Sequence, residues 1–168
     1  MRTDRPRPLL SVEITPRTSE DAGRLERGLK ELCAEDPSVT VETKAGGDGV
    51  LLGGMGEQHL EILIERLAKE FGVHAGVGRL QLVLDNGLAP VMWLEVNLPD
   101  EYSRPVVEDL MRKHARIEID EMRGGARVIA AVVPLVELLG YAADLRARTR
   151  GRGAFTMRLF GYDSTPPK

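Results

Sequence analysis

Four arginines, Arg146, Arg148, Arg150 and Arg152, alternate through a turn that also holds Gly151 and Gly153, at the end of the segment VPLVELLGYAADLRARTRGRGAF, residues 133–155. A guanidinium can grip a phosphate through two N–H groups or lie flat on a base, so this density of arginine suits a phosphate-rich partner. The glycines let the backbone turn sharply and approach a surface closely. Cations at a helix end also complement the negative C-terminal dipole, by roughly 0.3–1 kcal/mol each, which accounts for Arg146 and Arg148. It does not account for Arg150 and Arg152 in the turn. Upstream, a 3.6-residue period puts Leu135, Leu138, Ala142 and Leu145 on a packing face and Glu137, Tyr141, Asp144 and Arg148 on the face that meets solvent or a partner. Tyr141 there would either stack on a base or bridge helix and sheet.

A second dense segment, Gly54-Met55-Gly56-Glu57-Gln58-His59-Leu60-Glu61-Ile62, precedes and opens a helix. Its glycines offer an anion-binding helix N-terminus, but no lysine follows and Met55 points to packing, so it reads as a structural turn. His59 reads as a helix-surface or boundary residue. Catalytic patterns are absent. The phosphate loop GxxxxGK[ST], the zinc motif HExxH and the nucleophile motif GxSxG do not occur, and His59, His74 and His114 are far apart. Neither a catalytic residue, a metal site nor a cofactor is expected.

A net charge of −3 confines any RNA contact to a local patch such as the arginine turn. With 42% hydrophobic and 29% charged residues the chain reads as globular, and its 168 residues suit one ordinary domain or two small ones. The lone Cys33 reads as a small buried apolar residue beside Leu29 and Leu32. No apolar run is long enough to span a bilayer and the N-terminus lacks the apolar core of a signal peptide, so no membrane partner and a cytoplasmic location are expected.

The elements that must position these segments repeat in one order. Residues 9–15 alternate as a strand with Leu10, Val12 and Ile14 on one face. Thr18, spaced as in a capping box from Asp21, opens a helix whose stripe is Ala22, Leu25, Leu29 and Leu32. Residues 39–43 and 50–53 form a hairpin around Gly46-Gly47-Asp48-Gly49. A helix over 57–71 turns Leu60, Leu63, Ile64, Leu67 and Phe71 inward, stops at Gly72, and leads to a strand from Val73. The second copy has a strand over 91–98, then a helix starting near 102–104, because Pro105 must sit in its first turn, carrying Val106, Val107, Leu110 and His114. Strands over 116–123, with Ile117 and Ile119 inward, and 126–133 follow, then a helix over 135–149 and a strand over 153–162.

The expected fold is therefore α+β, two tandem ferredoxin-like (split βαβ, βαββαβ) domains, each a four-stranded antiparallel sheet with two helices on one face. Their bounds are 8–79 and 91–163. Residues 80–90 make a strand continuation and short linker, with Asp85-Asn86-Gly87 as a turn signal, and 164–168 a flexible tail following an equally disordered-looking start, 2–8.

Two long motifs carry a resemblance to elongation factor G and the ribosomal GTPases. Residues 54–62 are similar to the GMGELHLEI signature of that family's third domain, with Gln58 in place of a leucine. Pro134, Leu135, Glu137, Gly140, Tyr141, Ala142, Asp144, Leu145, Arg146, Thr149, Gly151, Arg152, Gly153 and Phe155 match its last domain, with Ala143 replacing a threonine and Arg150 a glutamine. The chain looks like the third and fifth domains joined directly, without the GTPase domain and with about a dozen residues, 79–90, where the family carries its fourth domain. The resemblance implies docking on large-subunit rRNA at the stalk base and near the sarcin-ricin loop, through Tyr141, Arg146, Arg148, Arg150, Gly151 and Arg152. Met55, Glu57 and His59 would face a GTPase domain, if one is supplied. GTP hydrolysis by this chain alone is not expected. The alternatives are a part that packs on a GTPase domain supplied elsewhere, and a pair of domains that binds a small molecule.

Overall fold

The computed structural model describes residues 7–163 except Ala45 and Asp48. The expected tail over 164–168, the start over 2–6 and Asp48 of the hairpin turn lie outside the described residues. The chain divides into two compact units, one ending at Val83 and one beginning at Leu84.

In the first unit, β1 (Leu10–Pro16), α1 (Ser19–Glu35), β2 (Thr40–Thr43), β3 (Val50–Gly54), α2 (Glu57–Phe71) and β4 (Ala75–Val77) follow the expected order. Antiparallel pairing gives the sheet order β2-β3-β1-β4, the split βαβ arrangement. A further short strand, β5 (Gln81–Leu82), pairs with Leu10 and Ser11 of β1, beyond the stretch that β4 occupies, so β4 and β5 form one edge interrupted at residues 78–80. After it, Asp85 and Leu88 bridge across Asn86 and Gly87, both at positive φ (51° and 79°), as a tight primed turn requires.

Thr18 caps α1: its hydroxyl accepts from the Asp21 N–H at 3.0 Å and donates to the Asp21 carboxylate at 2.8 Å. Asp21 also accepts the His74 N–H at 3.0 Å, tying the start of α1 to the chain just before β4. That backbone bond, then the Thr18 hydroxyl, hold the Asp21 carboxyl below its ordinary pKa against the opposing effect of burial. Leu25, Leu29 and Leu32 are buried as expected, while Ala22 is only half-buried. The fourth member of the stripe is Gly28, where a Cβ would come within 2.8 Å of Leu67 on α2, so the two helices approach at a glycine. Cys33 is also only half-buried, at the wall of an open groove between α1 and β2.

In the second unit, β6 (Ala89–Leu98), α3 (Ser103–Arg112), β7 (Arg116–Arg123), β8 (Ala126–Pro134), α4 (Tyr141–Thr149) and β9 (Ala154–Asp163) make a sheet of order β7-β8-β6-β9, the same topology. Pro105 sits in the first turn of α3, where its missing N–H costs nothing. Met92, Leu94, Val96 and Leu98 are buried on one face of β6. Phe155 pairs with Val96 and meets Tyr141 of α4 edge-on at 5.2 Å, which identifies that face as the helix side.

Four expectations for this unit need correction. The helix expected over 135–149 is two pieces, a 3-10 turn (Leu135–Leu138) and α4, separated by Gly140 at φ 76°. Leu135 and Leu138, three apart, are both buried in the tighter turn. Restarting the helix at 141 resets its phase, so Tyr141, Leu145 and Thr149 form the buried stripe and Ala142 is exposed. His114 lies beyond α3 at φ 60°, with its exposed ring 3.3 Å from Glu137. Ile117 and Ile119 face opposite sides, because a bulge at Glu118 sets them against the consecutive residues Ala131 and Ala130.

Candidate functional site

The arginine turn is built on Thr149. Its side chain is fully buried; its hydroxyl donates to the Leu145 carbonyl at 2.7 Å and accepts the Gly153 N–H at 2.9 Å, spanning the turn from inside. Arg150 and Gly151 both take left-handed backbone, at φ 51° and 77°, and the Gly151 N–H reaches the Arg146 carbonyl at 2.9 Å. This reverses the chain and closes the C-terminus of α4. At Gly153 a Cβ would stand 3.0 Å from Thr149, so a side chain there would press on the same support.

The four arginines separate by their partners. Arg146 and Arg150 are exposed, and among the described residues neither has a carboxylate within 4.0 Å. Arg152 is exposed and stands 3.7 Å from the exposed Glu101. Arg148 turns the other way and pairs with Asp109 of α3 at 3.0 Å, where the Asp109 side chain is only 7% exposed. Lys113 extends this cluster, 3.9 Å from Asp109 and 3.2 Å from Asp144. Asp109 Oδ2 and Arg148 Nε make no hydrogen bond, so Coulomb attraction rather than a full hydrogen-bond set holds the cluster. Tyr141, 2% exposed, lies beneath it. Burial first, and then the Asp109 charge, push its hydroxyl pKa up. It is the bridging tyrosine, with no face open for a base. Three of the expected cations thus share the exposed turn, and Arg148 and Tyr141 belong to its foundation.

Asp109 and Lys113 carried no signal for this role in the sequence, and Thr149 stood there only as a family match, without its role as the buried support of the turn. Asp109 and Lys113 are four apart on one helix, a visible ion-pair spacing, but their link to Arg148 spans two helices and leaves no local signal.

In the first unit the expected GTPase-facing residues divide similarly. His59 Nδ1 accepts the Met55 N–H at 3.0 Å, and Nε2 contacts Asp36 at 2.9 Å. With Nδ1 accepting from Met55, Nε2 is the nitrogen that donates to Asp36. Asp36 caps the end of α1 and accepts from the Ser38 hydroxyl and N–H, which hold its carboxyl below its ordinary pKa. His59 therefore staples the loop before α2 to the end of α1. Met55 and Glu57, half-buried, flank it at the helix start.

Two βαββαβ units, the second carrying a cationic turn between α4 and β9, define the class: a two-domain α+β protein. The chain belongs to the elongation factor G family, since residues 5–79 match the family model described as Elongation Factor G, domain III, and residues 88–168 the one described as Elongation factor G C-terminus. Only residues 80–87 lie between the two matches. A crystal structure of a Thermus thermophilus protein superposes with a TM-score of 0.62 at 21% identity, over 96% of this chain and 41% of that one. That likeness speaks to the fold, and the chain spans less than half of that protein. Among the described residues no helix is long and apolar enough to cross a membrane, and no cluster of three metal-ligating side chains occurs.

Proposed function

We propose that this chain is a ribosome-binding module of elongation factor G type, docking through Arg146, Arg150, Gly151 and Arg152 on large-subunit rRNA at the factor site by the stalk base, and without GTPase activity of its own. The observation that carries the reading is that, among the described residues, Arg146 and Arg150 have no carboxylate within 4.0 Å, on a turn fixed by the buried Thr149. A backbone turn already fixed in the free protein loses little loop entropy on binding. With Arg148 committed to Asp109, the family's contact surface reduces here to three arginines, which suffices for a salt-sensitive contact in a chain of net charge −3. A cytoplasmic location follows from that role. Co-sedimentation with large ribosomal subunits tests it: wild type pellets with the subunit, and the Arg146→Glu/Arg150→Glu/Arg152→Glu variant stays in the supernatant. Equal pelleting of the two would sink the contact.

For the first unit, we propose that Met55 and Glu57 face a GTPase domain when one is supplied, with His59 shaping that surface from behind rather than touching the partner. Its dual hydrogen bonding to Met55 and Asp36 favours this division. An unchanged GTP turnover on adding this chain to a purified GTPase domain would count against it.

A further inference from the structure

The second unit carries an aromatic and cationic patch on the side of its sheet away from the helices, which the arginine turn does not use. Directly opposed residues in an antiparallel sheet share a face, so the pairing Arg116–Val132–Trp93–Arg158 sets one row across all four strands. Trp93 lies between Met92 and Leu94 of the buried face, so this row points the other way. A register shift between Val91 and Met92 leaves Phe160 as the extra residue of β9, and its ring stacks on Trp93 with centroids 6.3 Å apart and planes at 24°. The Arg158 guanidinium stands 5.6 Å from the Trp93 ring centroid, and no carboxylate lies within 4.0 Å of it among the described residues. Phe160 is 54% exposed, far more than a packing role needs.

We propose that this face is a stacking platform for unpaired bases of single-stranded RNA, separate from the arginine turn. Every base has a π-face, so stacked Trp93 and Phe160 rings with a cation beside them bind bases without demanding a sequence. The row ends in arginine on both sides, about 14 Å apart across three strand spacings, with Arg116 shared with Glu118 and Arg158 without a carboxylate within 4.0 Å among the described residues, a charge pattern that suits a polyanion. Those ends complement phosphates flanking about two or three unstacked bases. Of the acidic groups on this side, Glu95 and Glu121 lie on rows further along the strands, Asp163 lies opposite Ala89 beyond Phe160, and Glu118 pairs with Arg116. The nucleic acid is therefore confined to the strip around Trp93, Arg158 and Phe160, between Glu95 on one side and Asp163 on the other.

Trp93 is the only tryptophan in the chain, so its fluorescence reads this face directly. Titrating the full chain with hexauridylate and hexaadenylate at low salt should give saturable quenching, while a duplex of the same length, whose bases are already stacked, should give little. Phe160→Ala and Arg158→Ala should each weaken binding about fivefold or more, from the stacking and cation–π contributions lost. Far-UV circular dichroism of the variants should match that of wild type, since both substitutions are at exposed side chains. The Arg146→Glu/Arg150→Glu/Arg152→Glu variant should still be quenched in full, which separates this site from the ribosome contact. Absence of saturable quenching, undiminished quenching in both single variants, or quenching by an aromatic-rich peptide but not by RNA would each overturn the platform.

Discussion

Arg148 and its neighbours share a residue type and a short stretch of chain but meet different electrostatic surroundings. The pair with Asp109 puts a carboxylate almost out of water, and such a charge is tolerated only while its partner stays. Asp109→Ala should therefore destabilise the second unit by about 1–3 kcal/mol, because it leaves Arg148 and Lys113 facing each other without their shared anion. Chemical denaturation followed by Trp93 fluorescence measures this, and Arg146→Ala should leave the midpoint nearly unchanged. In the first unit, Asp21 has a pH signature. Its carboxyl is held low by the His74 N–H first and Thr18 second, so its contribution is fully present above the unfolded value of about 3.9 and is lost as the pH falls through the lower native value. Asp21→Asn should accordingly lower the melting temperature at neutral pH, and the gap to wild type should close as the pH is taken toward about 2.

At the scale of elements, the turn after α4 depends on backbone shape as much as on charge. Gly151→Ala puts a Cβ at φ 77° and should cost about 1–2 kcal/mol, with a loss of ribosome pelleting although every arginine remains. Circular dichroism melting together with co-sedimentation checks both halves of that statement. Regular elements were legible in the sequence where pattern and punctuation agreed: α2 ends at Gly72 as its left-handed cap requires, and the Asp85-Asn86-Gly87 signal became a bridged turn. The segment from Leu135 to Thr149 was not, because its leucines fit a continuous 3.6-residue period and also fit a 3-10 turn followed by a rephased helix. Only the left-handed Gly140 separates the two, and it decided that Tyr141 faces the core. The bulge at Glu118 was equally invisible, since alternation alone puts Ile117 and Ile119 on one side. The exposed cations of the site could be read from composition and spacing, but the role of Arg148 could not, because Asp109 reaches it from another helix.

At the scale of the molecule, the chain pairs two family domains, and the function proposed for it is binding. The central claim is that Arg146, Arg150 and Arg152 meet rRNA phosphates, and counterion release makes this countable. Phosphate contacts made by a protein set the slope of log affinity against log salt, at roughly 0.7–0.9 per contact. The decisive measurement is the affinity for purified large subunits over a range of salt concentrations, for wild type and for Arg146→Gln/Arg150→Gln/Arg152→Gln. If the three arginines meet phosphates, the slope is shallower by about two to three in the variant and binding is weaker. An unchanged slope at unchanged affinity would contradict it.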